Sequence, residues 1–117
     1  MKKEERNVSL YLTDMEEAIQ NILNYTEGIS FEEFKKSRMI QDAVIRNFEV
    51  MGEAANRIPE TVKNQYTEIP WADMYGLRNR IAHEYFGIDF GIIWKITKDF
   101  LPDNLKRIQR IKSSLFI

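Results

Sequence analysis

Apolar side chains recur along most of this chain at three- and four-residue steps, the spacing that gathers them on one side of an α-helix. From about Ser9 to Glu27 the stripe runs through Leu12, Met15, Ile19, Ile22 and Leu23, and Gly28 comes next as a residue able to end the helix. Ser30 and Glu33 then stand at the separation of a capping box, in which each side chain satisfies the other's free backbone N–H. The stripe resumes as Ile40, Val44, Phe48, Met51, Ala55 and Ile58, which predicts a long amphipathic helix to about Ile58. Pro59 marks a break or a new first turn, and a short helix is predicted from Glu60 to Tyr66. Ile69-Pro70-Trp71 opens the next element, which runs toward His83. Phe86-Gly87-Ile88-Asp89 reads as a turn, with Asp89 placed to cap the next helix. Ile92, Ile93, Ile96 and Phe100 form a further stripe; Pro102 interrupts it, and Leu105, Ile108, Ile111 and Leu115 continue it. No strand-like alternation, internal repeat or low-complexity segment stands out. The economical solution is all-α: a compact up-and-down bundle of about five helices, with residues 9–117 as a single domain behind a flexible N-terminus, residues 1–8.

Composition narrows the chemistry. The 117 residues, 44% hydrophobic, suffice for one domain with its own core. There is no cysteine, which excludes disulfides, thiolate metal sites and cysteine nucleophiles and fits a reducing, cytoplasmic location. The charged start, Met1-Lys2-Lys3-Glu4-Glu5-Arg6, leads into no long apolar region, so no signal peptide is expected. No apolar run is long enough to span a bilayer, and no membrane association is expected. A net charge of −1 argues against a general nucleic-acid coat protein. The charge is uneven, however: residues 1–77 carry 9 basic and 14 acidic side chains, and residues 78–117 carry 8 basic and 4 acidic. The basic part is either a phosphate-attracting surface or an ordinary solvated helix face.

That basic part opens with Arg78-Asn79-Arg80-Ile81-Ala82-His83-Glu84-Tyr85, which holds the only histidine in the chain. An imidazole moves protons near neutral pH, and a guanidinium grips a phosphate or its transition state in two places. Together they are the minimum equipment for phosphodiester chemistry without a metal. On a helix Asn79 and His83 share a face, so Asn79 is placed to fix the imidazole tautomer or to bind substrate. A lone histidine near a helix end is also a common capping or packing residue, and residue types alone leave both roles open.

Arg78-x4-His83, with the polar Asn79 after the arginine, resembles the signature of the HEPN superfamily. The fuller Arg78-x4-His83-x-Tyr85 is similar to the HepT-like toxins of MNT–HEPN toxin–antitoxin modules. Gly52-Glu53-Ala54-Ala55, Ile69-Pro70-Trp71, Gly76-Leu77-Arg78-Asn79, His83-Glu84-Tyr85-Phe86 and Ile93-Trp94 extend the likeness in order and spacing from about Leu10 to about Ile111. The resemblance implies a homodimeric helical bundle acting as a metal-independent endoribonuclease on RNA, with Arg78 and His83 as the catalytic pair and Asn79 assisting. Cleavage by the adjacent 2′-hydroxyl needs one proton removed and another delivered, so a two-fold interface would supply the second histidine. The expected products carry a 2′,3′-cyclic phosphate and a 5′-hydroxyl. Arg80 is a candidate RNA-phosphate contact. The resemblance further implies a minimal nucleotidyltransferase (MNT) antitoxin as partner, which adenylylates Tyr85 and so blocks the cleft with anionic phosphodiesters. The alternative it leaves is a non-catalytic HEPN subunit that docks nucleotide or substrate for a partner nucleotidyltransferase.

Other motifs read blandly. Glu16-Glu17 and Glu32-Glu33 diverge around a helix and have no histidine nearby, so no metal site is expected, and no Gly-rich phosphate loop or cofactor motif is present. Gly52 and Ala55 suit close helix packing, within the chain or at a dimer interface. Trp71 and Trp94 lie within helical spacing that favours burial over base stacking.

Overall fold

The computed structural model describes residues 3–84 and 87–115. These form seven helices and no strand: α1 (Lys3–Thr26), α2 (Phe31–Lys36), α3 (Arg38–Arg57), α4 (Glu60–Gln65), α5 (Trp71–His83), α6 (Phe90–Asp99) and α7 (Leu101–Leu115). The all-α bundle is the one expected, but two of the five expected helices are each divided. The first division falls at Ser37, which is C-cap of α2 and N-cap of α3 at once and whose hydroxyl accepts the Ile40 N–H. Gln41 steadies the break by donating its amide to the carbonyls of Phe34 and Lys35, which α2 leaves free at its end. The second division falls at Phe100, one turn-edge before Pro102, whose missing N–H cannot continue the ladder from α6.

The helix starts agree with the chemistry read from the sequence. Gly28 ends α1 with a φ of 75°, a left-handed conformation that costs glycine nothing. Ser30 and Glu33 form the reciprocal capping box at 3.1 Å in both directions. Asp89 caps α6 by accepting from Gly91 N at 2.8 Å and Ile92 N at 3.3 Å. One start differs: α1 begins at Lys3, not near Ser9, so residues 3–8 of the segment expected to be flexible are helical, and Val8 is buried. Glu4 and Glu5 in the first turn favour that start by facing the positive end of the helix dipole.

The two long helices carry the core. Leu12, Met15, Ile19 and Ile22 of α1 meet Val44, Phe48, Met51 and Ala55 of α3, all essentially inaccessible to solvent. Asn21 bonds to Asn47 while Tyr11 lies against Arg57, so the two helices run antiparallel. Helix α7 closes the other side of α1 through Ile108 and Ile111, with a 2.9 Å ion pair between Lys112 and Glu16. At the far end Phe34 of α2 packs edge-on to Phe90 and against Trp94 of α6, at 5.8 and 5.3 Å. Lys98 lies over the Trp94 ring and donates to the Thr26 carbonyl, tying α6 to the end of α1. Trp71 is buried and its indole N–H is spent on the Tyr66 carbonyl. No helix among the described residues is long and apolar enough to cross a membrane.

Candidate active site

The helix that carries the arginine–histidine run is held in place by a missing side chain. Helix α5 crosses α3 at Gly52, and a Cβ there would stand 2.5 Å from Arg78 Cβ and 2.6 Å from the Met74 carbonyl oxygen. Real Cβ atoms do not approach that closely, so only glycine permits the crossing. The packing role expected of Gly52 is therefore within the chain, and its consequence is local: it brings the backbone of Arg78 onto α3, beside the next residue, Glu53.

Glu53 uses that proximity. One carboxylate oxygen meets Arg78 Nε at 3.3 Å, and the other meets Arg57 Nε at 3.4 Å. Arg78 also donates from Nη1 to Asn79 Oδ1 at 3.0 Å. The Arg78 guanidinium is thus fixed from two sides. A hydrogen bond to Tyr11 and then the charge of Glu53 hold the Arg57 guanidinium protonated above its ordinary range. Tyr11, Glu53, Arg57 and Arg78 line a cleft of about 380 Å³ between α1, α3 and α5, together with Asp14, Arg46 and Glu49. Such a space admits part of a single nucleic-acid strand.

The structure joins some of the expected site residues and separates others. Arg78 and Asn79 are in direct contact. His83 lies five residues on, at the last turn of α5, exposed and with no hydrogen-bond or ion-pair partner among the described residues. Five residues correspond to about 7.5 Å of rise and about 140° of turn, so within one chain the imidazole and the Arg78 guanidinium face different directions. Arg80 leaves α5 on another side, pairs with Glu84 at 3.7 Å, and borders a shallow depression with Ile88, Asp89 and Ile92. Tyr85 lies outside the described residues. The acidic pairs have structural uses: Glu33 caps α2 and Glu16 holds Lys112.

Three contributors escape a reading of the sequence alone. Glu53 stands in a run chosen for its small residues, Arg57 one helical turn beyond it, and Tyr11 on a helix with no functional motif. The Glu53–Arg57 spacing signals an i,i+4 ion pair, but nothing in the sequence brings Arg78 to the same carboxylate.

Comparison with known proteins shows which family the chain is drawn from. The chain is 40% identical over 106 residues to the protein named "Putative RNase MJ0127" of Methanocaldococcus jannaschii, covering 91% of this chain and 88% of that one. It is 38% identical over 102 residues to "Probable ribonuclease HepT" of Thermococcus cleftensis, covering 87% and 93%. No solved structure matches. The family model described as Ribonuclease HepT-like matches residues 15–111, from the middle of α1 into α7, and the chain belongs to that family.

Proposed function

We propose that this protein is a metal-independent endoribonuclease, the toxin of a toxin–antitoxin module, in which two copies of the chain combine Arg78 and His83 around one scissile phosphate. The observation that carries this reading is the division of labour along α5. Arg78 is fixed by Glu53 and Asn79 at a cleft, whereas His83, the single imidazole, stands exposed and unpartnered among the described residues. An arginine aimed by two neighbours suits charge stabilisation at phosphorus, since its hydrogen bonds need no rearrangement as negative charge builds. One imidazole cannot conveniently both accept the 2′-hydroxyl proton and deliver one to the 5′-oxygen, so a second copy supplies the other. Phe100, the C-cap of α6, is about half exposed and with Ile96, Leu77 and Met74 borders an apolar depression that supports such an association. Asn79 acts through Arg78. Arg80, on another side of α5, serves as an RNA contact away from the scissile phosphate.

In the reaction the 2′-oxygen, relieved of its proton by one His83, attacks the adjacent phosphorus. The P–O5′ bond breaks, and the other His83 protonates the leaving oxygen. Incubating the purified protein with RNA in EDTA should yield fragments ending in 2′,3′-cyclic phosphate and beginning with 5′-hydroxyl. Cleavage that stops in EDTA, or fragments bearing 5′-phosphate, would exclude this chemistry; no cleavage at all would favour a subunit that docks substrate for a nucleotidyltransferase.

Tyr85 follows His83 by two residues in sequence, and a nucleotide added there would bring an anionic phosphodiester that repels incoming RNA. A minimal nucleotidyltransferase antitoxin is the proposed agent, transferring AMP from ATP to the phenol oxygen with release of pyrophosphate. Tyr85→Phe should cleave RNA at the wild-type rate and remain active after incubation with the antitoxin and ATP. Mass spectrometry locates the adduct, and AMP on any other residue removes Tyr85 from the scheme.

A further inference from the structure

Arg57 plays no part in the proposed reaction, yet it shares a carboxylate and a cleft with Arg78. Its Nε meets Glu53 at 3.4 Å, and Tyr11 of α1 lines the same cleft. The Arg57 side chain nevertheless stays 57% exposed, which leaves it accessible to a ligand in the cleft. Arg57 and Arg78 meet the two oxygens of a single carboxylate, so their guanidiniums stand one carboxylate apart in a common cleft. Two cations that share one carboxylate are close enough to address neighbouring phosphates of one strand.

The cleft's charges balance: Arg46, Arg57 and Arg78 face Asp14, Glu49 and Glu53. Bulk attraction for a polyanion is therefore weak, and recognition must come from donors at fixed positions. An exposed guanidinium whose Nε is already held by a carboxylate suits a phosphate oxygen pair through its remaining N–H groups. We propose that Arg57 binds the phosphodiester next to the scissile one on single-stranded RNA, and that Glu53 is the positioning residue that spaces it from Arg78. This inference rests on Arg78 addressing the scissile phosphate, and it adds a substrate subsite to that reading. Its chemical consequence is a preference for strands with at least two consecutive phosphates in the cleft.

The test compares wild type and Arg57→Ala on a single-stranded oligoribonucleotide and on a dinucleoside monophosphate, which has one phosphodiester and no neighbour. On the oligomer, Arg57→Ala should raise KM about tenfold with kcat within about twofold, the signature of lost binding common to ground and transition states. On the dinucleotide the two proteins should be indistinguishable. An equal loss on both substrates would mean that Arg57 acts only by holding Glu53 and Arg78, and no loss on the oligomer would mean that it does not touch RNA; either result overturns the proposal. A separate binding measurement uses an oligomer made uncleavable by 2′-O-methylation at every ribose, so it also decides the matter if the protein proves to have no nuclease activity. There Arg57→Ala should weaken affinity about tenfold and flatten the dependence of log K on log salt by about 0.7, the contribution of one phosphate contact on a single strand. An unchanged slope overturns the subsite whatever the fate of the nuclease reading.

Discussion

His83→Ala should lower RNA cleavage by about 10²–10⁴-fold, the usual worth of a positioned proton-transfer group, and leave the fold intact. The second half of that expectation makes the first informative. His83 is exposed and has no hydrogen-bond or ion-pair partner among the described residues, so its removal should change stability by no more than about 0.5 kcal/mol. A loss of activity with an unchanged melting curve is then a loss of chemistry. The same variant probes the shared site. If two copies pool their imidazoles, adding excess His83→Ala protein to wild type should draw wild-type subunits into mixed dimers and lower the activity per wild-type subunit. Activity that stays proportional to wild-type protein would mean that each chain works alone. Arg78→Lys is the companion variant: it keeps the charge but loses the fork that reaches Glu53 through Nε and Asn79 through Nη1. It should cost about 10²–10³-fold in kcat, the scale of losing one preorganised donor to a developing oxyanion. Full activity in Arg78→Lys would show that only charge matters there, and the geometry around Glu53 would lose its catalytic meaning.

The helices were legible because their evidence is local. A buried stripe repeats every three or four residues, and Gly28, Ser30 with Glu33, and Asp89 announce their caps within a turn of where they act. The break at Ser37 was hidden because the side chain that satisfies α2's free carbonyls, Gln41, belongs to the next helix. The candidate site divides in the same way. Arg78, Asn79 and His83 declare themselves by chemistry and spacing on one segment. Tyr11, Glu53 and Arg57 do not, because they reach the cleft of Arg78 from two other helices through a crossing that depends on Gly52. Charge counted along the chain misleads here for a related reason. Arg78 opens the basic part, but the carboxylates around its cleft, Asp14, Glu49 and Glu53, all come from the acidic part. The field at the site is that of the folded neighbourhood and not of the segment.

Gly52→Ala and Gly76→Ala make the same substitution in neighbouring helices and should act with opposite sign. An alanine Cβ at position 52 meets Arg78 Cβ at 2.5 Å and the Met74 carbonyl oxygen at 2.6 Å, neither of which is the free end of a flexible side chain. Helices α3 and α5 must separate to admit it. Overpacking of this kind costs about 1–3 kcal/mol, of which alanine's better helix propensity returns less than about 1. At position 76 a Cβ meets nothing within 4 Å, so only the propensity gain remains, and the protein should be stabilised by about 0.5–1 kcal/mol. Thermal unfolding separates the two as a fall and a rise in Tm of several degrees. The functional consequence is sharper than the thermodynamic one. Moving α5 away from Gly52 draws Arg78 off the Glu53 carboxylate, which the ion pair reaches only at 3.3 Å as it stands. Gly52→Ala should therefore lose cleavage even at temperatures where it is fully folded, because a displacement of about 1 Å at a positioned group costs about 100-fold in rate. Equal stability of the two variants would refute the close crossing. A folded Gly52→Ala protein that cleaves RNA normally would show that Arg78 does not depend on its place against α3.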